Sequence, residues 1–288
     1  MLSMSKLLTS IILASSLLLS SVYAQSRDIQ TKQVLSFLKN RISHNPNISD
    51  LSIKIVGHKA LSHPKGWTAY MVAFHAKAKV RGQEKTVTQR SVYFAKDGYL
   101  TTQFISLKSG EKINYLITPK FKNSYYAKSN LLYGDADAKY KVAIFSDPLC
   151  PFCREFVPPA LRYMSKYPKT FAVYYYNFPL TLLHPASPTI VKAAIYLELR
   201  GDKSIILRLY GLKMNIDQTN QQKILDEFNK QLGVHVTLQD ISSVMVKDAL
   251  KHDEHLGAKL MVRGTPTFFF NGVMDPTKNR YKEVKVVE

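Results

Sequence analysis

The feature that most constrains the fold is a run of apolar residues leading into two cysteines three positions apart. Residues 142–145 are typical of a buried strand, a short turn follows, and the pattern becomes helical at Cys150 and Cys153, the only cysteines in the chain. At this spacing the two thiols can approach closely enough to form a disulfide. The unsatisfied N–H groups and the partial positive charge of a helix N-terminus favour a thiolate at Cys150. We therefore predict thiol–disulfide exchange, with Cys150 as the attacking thiol and the more buried Cys153 as the resolving thiol.

Two other interpretations of the cysteine pair stay open. The pair could be half of a zinc site completed by His252 and His255, although the run 251–255 is more typical of the solvated side of a helix. It could also be a structural disulfide, although so small a loop gains little entropic stabilisation. The order of strand, turn and helix favours redox chemistry. We predict no cofactor and no bound metal.

The first 24 residues have the pattern of a secretory signal peptide. Lys6 is the only charged residue there, the apolar run 7–19 follows it, and Val22–Ala24 supplies small residues of the kind that a signal peptidase reads. The apolar run is too short for a comfortable membrane span. We predict cleavage after about Ala24 and export to the periplasm, where two lone cysteines are more useful for exchange than as a structural framework.

The chain is strongly basic, with a formal net charge of +19, which becomes about +18 when Lys6 is removed with the signal. A nucleic-acid protein is one interpretation, because residues 120–128 mix basic and aromatic side chains. Export argues against it, and the charge is spread along the chain as on a solvated surface. We predict contact with an acidic envelope surface or with acidic clients, and no nucleic-acid partner.

The length of the mature chain, 288 residues less the signal, suits two domains. Apolar residues recur at helical spacing from Gln33 to Ile42, and Asp97–Gly98 marks a tight turn between two strands. Four runs are typical of strands in this first part: 51–56, 67–80, 86–95 and 99–107. We predict a small α+β domain over residues 25–110 for dimerisation or client binding, then a linker over 111–131.

The second part, residues 132–288, alternates strand and helix patterns and predicts an α/β domain. A second buried strand covers 171–178, and a strand begins near Thr265. Between them, four sets of apolar residues at helical spacing predict a helical insertion over about 187–257, in which Gly233 ends the third helix. The last of these helices is assigned Val244, Met245, Asp248, Ala249 and Leu256.

Two separated motifs, Phe145–Cys153 and Gly264–Phe268, together resemble the thioredoxin superfamily. More closely, they resemble the exported bacterial disulfide oxidoreductases known as Dsb proteins, from about Leu132 to the C-terminus. The resemblance implies a thioredoxin fold with a helical insertion. It also implies a cis peptide bond between two residues that lie against the Cys150 sulfur. The neighbours of the catalytic pair implied by the resemblance are Pro151, Phe152, Thr265 and Pro266, of which the last two flank that bond.

Details of the resemblance point to two branches of the Dsb proteins. The Asp-Pro pair before Cys150 and the separate first domain are similar to the dimeric DsbG/DsbC branch, whereas the long insertion and Leu183–Ser187 are similar to the monomeric oxidase DsbA. Ile144 stands where thioredoxin and DsbA carry a buried acid, and Phe152 stands where the oxidase carries histidine. Whether the protein oxidises, isomerises or reduces disulfides therefore stays open.

These patterns predict a periplasmic thiol:disulfide oxidoreductase that acts on exported proteins through its Cys-Pro-Phe-Cys pair. Its implied partners are exported cysteine-containing proteins, a membrane redox protein of the DsbB or DsbD type, and a second copy of the chain bound through residues 25–110. The alternative is a chaperone or holdase for unfolded exported proteins in which the redox pair is incidental.

Overall fold

The computed structural model describes residues 28–80, 83–108, 110 and 112–287, so the predicted signal peptide lies outside the described residues. The chain forms two compact units, divided in sequence between Ile117 and Thr118. In these described ranges, no helix has both the length and the apolar character needed to cross a membrane.

The first unit combines one helix, α1 (28–43), with a four-stranded antiparallel sheet in the order β1-β2-β3-β4. The strands are β1 (Ile48–Ala60), β2 (Thr68–Val80), β3 (Gln83–Lys96) and β4 (Tyr99–Thr101). The helical spacing of apolar residues places Val34 and Leu38 of α1 in one core with Tyr70 and Val72 of β2. This is the small α+β arrangement that the sequence predicts.

The turn between β3 and β4 forms where the sequence predicts it, but β4 is shorter than expected. Asp97 and Gly98 both adopt positive φ, at 48° and 82°, as tight hairpin turns require. The predicted extension of the strand to residue 107 is wrong. The Thr101 hydroxyl hydrogen-bonds to the backbone of Gln103, and such local bonds compete with a strand ladder.

The second unit contains a five-stranded sheet in the order β5-β7-β6-β8-β9. Its strands are β5 (Leu131–Tyr133), β6 (Tyr140–Ser146), β7 (Phe171–Asn177), β8 (Thr267–Phe270) and β9 (Val273–Asp275). The central strand β6 runs parallel to β7 and antiparallel to β8. Because it is paired on both sides and covered on both faces, an uninterrupted apolar run is the expected sequence for β6.

One helix follows β6, and the helical insertion lies between β7 and β8. The helices are α2 (Pro151–Met164), α3 (Ser187–Leu199), α4 (Ile205–Leu209), α5 (Gln221–Leu232), α6 (Leu238–Ser242) and α7 (Val244–Lys259). Gly233 ends α5 with a left-handed φ of 63°, so that prediction is confirmed. The short α6 is not among the predicted helices, although Thr237 and Asp240 form a capping box at its start. The predicted α/β class with a helical insertion is confirmed.

The last predicted helix is confirmed as α7, but the residues at its start do not belong to its buried face. Val244 and Met245 are exposed, whereas Val246, Leu250 and Asp253 are buried. The run 251–255 is therefore not a solvated face throughout, because the Asp253 carboxylate is enclosed in the protein. Burying a carboxylate requires hydrogen-bond donors, and these come from residues far away in the sequence.

Candidate active site

The two cysteines lie at the junction between the central strand and α2. Cys150 is the N-cap of α2, with φ −69° and ψ 125°, and Pro151 occupies the first helical position, where its missing N–H costs nothing. The cysteines are free thiols in this structure. Cys150 is 5% exposed and Cys153, about one turn further along, is 0% exposed. The outer thiol can therefore meet a partner while the inner one is shielded.

The pKa values of the two thiols diverge strongly. The Cys153 thiol donates to the Cys150 sulfur, the backbone N–H groups of Cys153 and Phe152 add to this, and together they lower the pKa of Cys150 to about 5 against the opposing effect of burial. Burial, followed by its hydrogen bond to Cys150, raises the pKa of Cys153 far above its usual range. At neutral pH Cys150 is a thiolate and Cys153 a thiol, which separates a nucleophile from a resolving group.

Thr265 faces the cysteines from the turn before β8. Its carbonyl oxygen lies 3.4 Å from the Cys150 sulfur, although 115 positions separate the two residues in the sequence. The Thr265–Pro266 peptide bond is cis. The buried Thr265 hydroxyl has no hydrogen-bond partner among the described residues, so it is available to donate to a thiolate.

The remaining predicted neighbours differ in exposure. Pro266 is buried, Pro151 is exposed, and Phe152 is 63% exposed between the two cysteines. The fold thus brings Cys150, Cys153 and Thr265 together and leaves the Phe152 ring open to solvent.

A comparison with family models identifies the fold of this part of the chain. A family model described as thioredoxin matches residues 127–287, more than half of the chain. The chain belongs to the thioredoxin family. The thioredoxin fold expected from the two motifs is thereby confirmed for the second unit. No curated protein sequence matches the chain.

Solved structures similar to this thioredoxin-family chain come from several bacteria. A thioredoxin-like oxidoreductase from Silicibacter pomeroyi is 19% identical, with a TM-score of 0.43, and the match covers 55% of this chain and 94% of that one. ScsC from Proteus mirabilis in a compact conformation is 21% identical, with a TM-score of 0.40 and coverages of 59% and 73%. Oxidised BdbD from Bacillus subtilis is 15% identical, with a TM-score of 0.43 and coverages of 58% and 93%.

In this thioredoxin-family site, a buried carboxylate fixes the turn before Cys150. Asp147 Oδ1 accepts hydrogen bonds from the Ser187 hydroxyl at 2.6 Å and from the Leu149 N–H at 2.9 Å. Asp147 Oδ2 accepts from the Leu180 N–H at 2.8 Å and lies 2.9 Å from His184 Nδ1. Four partners saturate both oxygens and attach the turn to the start of the insertion. No sequence pattern predicts this role, although Asp147 stands beside the cysteine motif.

Three buried hydroxyl groups form a chain beneath Cys153. Ser146 Oγ lies 2.7 Å from the Tyr210 hydroxyl, which lies 2.9 Å from the Tyr175 hydroxyl. The Ser146 hydroxyl also lowers the pKa of the Cys153 thiol. We call Ser146, Tyr210 and Tyr175 the hydroxyl chain. Sequence patterns gave no signal for the two tyrosines, which come from β7 and from the end of α4.

The predicted zinc alternative involves a histidine that has another partner. His252 Nδ1 lies 3.3 Å from Asp253 Oδ1. Both residues line a cavity of about 500 Å³ together with Glu198, whose pKa is raised to about 8 by burial and then by the charge of Asp253. Within the part of the chain that the structure describes, no three His, Cys, Asp or Glu side chains are grouped to hold a metal ion.

Proposed function

We propose that the protein is a thiol:disulfide oxidoreductase that exchanges disulfides with exported cysteine-containing proteins. The observation that carries the proposal is the lowered pKa of Cys150, at about 5, beside a shielded second thiol. In the reducing direction, the Cys150 thiolate attacks a client disulfide, forms a mixed disulfide and releases one client thiolate. Cys153 then attacks Cys150, which releases the second client thiolate and leaves the pair as a disulfide.

The charge on Cys150 also bears on the direction of exchange. A pKa of about 5 in the folded state, against about 8.5 for a free thiol, stabilises the reduced protein by about 2–3 kcal/mol at pH 7. The disulfide form has no such thiolate and lacks this stabilisation. We therefore propose that the pair tends to donate its disulfide to clients, which requires a membrane redox protein of the DsbB type to reoxidise it.

The first test is exchange with a fluorescent peptide that contains two cysteines. With oxidised glutathione as the oxidant, the wild-type protein is expected to catalyse oxidation of the reduced peptide, and Cys150→Ser to abolish it. With the peptide supplied as its disulfide, Cys153→Ser is expected to accumulate a mixed disulfide at Cys150, because the resolving thiol is gone. A chaperone would behave differently, since its Cys150→Ser variant would still suppress aggregation of a cysteine-free client. A wild-type protein that leaves the peptide thiols unchanged would contradict the proposal.

Thiol trapping in cells tests the direction of exchange. A donor of disulfides is expected to be mostly oxidised at steady state, whereas an isomerase or reductase, supported by a DsbD-type partner, is kept reduced. Export is tested in the same samples, because the mature chain recovered from the periplasm is expected to begin at Gln25.

We also propose that the mature protein is a homodimer through its first unit. Phe37 of α1 and Tyr99 of β4 are exposed aromatic side chains, and both line an apolar pocket of about 430 Å³ together with Val34 and Leu100. Exposed apolar surface of this kind supports an interface. Sedimentation of the mature protein is expected to show a dimer that Phe37→Asp dissociates, whereas Leu107→Asp, at another exposed position of the same unit, leaves it intact.

A further inference from the structure

Resolution of a mixed disulfide requires the Cys153 thiol to lose its proton, although burial opposes its ionisation. Ile144 of β6 is fully buried, and its apolar side chain cannot accept a proton. The sulfur instead accepts a hydrogen bond from the backbone N–H of Asp147 at 3.5 Å, and the Ser146 hydroxyl lowers the pKa of the thiol. The groups that can stabilise the negative charge on the Cys153 sulfur are therefore neutral hydrogen-bond donors.

The order of donors and acceptors in the hydroxyl chain leaves the hydrogen of Ser146 available to donate to this sulfur. A hydroxyl has one hydrogen to donate and two acceptor sites. If Tyr175 donates to Tyr210 and Tyr210 donates to Ser146, the single hydrogen of Ser146 is left for Cys153. Burial raises the pKa of both phenols, so each keeps its proton and remains a donor.

We propose that the hydroxyl chain stabilises the Cys153 thiolate during the resolving step, with Tyr210 and Tyr175 as positioning residues that act through Ser146. The inference rests on the proposed function and names the groups that make its second step possible. In the mixed disulfide, where Cys150 is no longer a thiolate, the Cys153 S–H donates to Ser146 and the chain runs outward. When the sulfur becomes negative, rotation of three O–H bonds reverses the chain without movement of heavy atoms.

The step balances without a further reactant. Cys153 releases its proton to solvent, and its thiolate attacks the Cys150 sulfur of the mixed disulfide. The bond between Cys150 and the client sulfur breaks, a bond between Cys150 and Cys153 forms, and the client leaves as a thiolate that takes up a proton. The pair is oxidised to a disulfide and the client sulfur is reduced.

The charged groups Asp147 and Glu198 differ in how they affect the hydroxyl chain. The Asp147 carboxylate is saturated by its four partners, including His184. At the far end, the charge of Glu198 acts on the Tyr175 phenol, and Cys153 itself acts on both phenols. A pH profile of the resolving step therefore reports on Cys153, with Glu198 as the group whose separate titration must be checked by Glu198→Gln.

The experiment uses the reduced mature protein and oxidised glutathione in excess. Glutathione first forms a mixed disulfide at Cys150, and its release in a second, concentration-independent phase measures resolution by Cys153. For Tyr210→Phe, which removes one hydroxyl from the chain, we expect this rate to fall roughly tenfold at pH 7 and the midpoint of its pH profile to rise by about one unit. Tyr175→Phe is expected to give a smaller change in the same direction.

The matched control is Tyr176→Phe. Tyr176 is also fully buried, but successive residues of a strand face opposite sides of the sheet, and its hydroxyl donates to the Tyr125 carbonyl instead. This variant loses a comparable hydrogen bond and is expected to keep the wild-type rate and midpoint. Near-ultraviolet circular dichroism checks that each variant is folded.

The possible outcomes separate the two proposals. If the rate of Tyr210→Phe equals that of the wild type, or falls equally at every pH with no shift of the midpoint, the hydroxyl chain has no role in ionising Cys153 and the inference is overturned. If the wild-type protein never releases glutathione in a second phase, the proposed function fails first. A shifted midpoint in Tyr210→Phe and not in Tyr176→Phe supports the inference.

Discussion

Replacing Cys153 with alanine is expected to raise the pKa of Cys150. The Cys153 thiol contributes most to holding that pKa at about 5. A hydrogen bond to a charged group is worth about 1.5–3 kcal/mol, and one pKa unit corresponds to about 1.4 kcal/mol. Loss of the thiol donor should therefore raise the pKa by about 1–2 units. The backbone N–H groups of residue 153 and Phe152 survive the substitution, so the value should stay below the ~8.5 of a free thiol.

The measurement is the ultraviolet absorbance of the thiolate against pH. The reduced wild-type protein and Cys153→Ala are titrated in parallel, and Cys150→Ser identifies which transition belongs to Cys150. Cys153→Ser is the matched variant, because its hydroxyl can still donate and should give a smaller rise than alanine. An unchanged midpoint in Cys153→Ala would show that the Cys153 thiol does not lower the pKa of Cys150. That result would refute the largest contribution assigned to this pKa.

Three further predictions concern stability, each measured by urea unfolding. The thiolate of Cys150 stabilises the reduced protein relative to Cys150→Ser at alkaline pH, and because its folded-state pKa is lowered to about 5, this advantage is lost as the pH falls from about 9 to about 5. Gly134→Ala should cost more than about 2 kcal/mol, because φ is 80° and an added Cβ would lie 1.8 Å from the Phe171 carbonyl oxygen. Gly201→Ala, with φ 98° and open space, should cost less. The raised pKa of Glu198, about 8, means that stability falls as the pH rises from about 4.5 to 8, so Glu198→Gln should stabilise the protein more at pH 8 than at pH 5.

The features that sequence predicts here are those set by local chemistry. The apolar run 142–145 must be a buried strand, and a cysteine followed by proline makes a helix start, so the position of Cys150 follows from neighbouring residues alone. The left-handed end of α5 at Gly233 follows from the conformational freedom of glycine in the same way.

The features that sequence does not predict depend on partners far along the chain. The inner face of α7 includes Asp253 because Asn177 and Asn130 supply donors 76 and 123 positions away. Tyr210 meets Ser146 across 64 positions. Neither distance leaves a periodic pattern, so the sequence predicts a surface position for the charged residue in the helix and makes no prediction for the tyrosine.

The burial of Asp253 has a consequence for how the sequence can change over time. One carboxylate accepts hydrogen bonds from the side chain of Asn130, just before β5, and from the backbone and side chain of Asn177 at the end of β7. An apolar residue at position 253 leaves donors at both sites without an acceptor. Positions 130, 177 and 253 are thus expected to vary together among relatives, as one inherited set that spans the second unit from its first strand to its last helix.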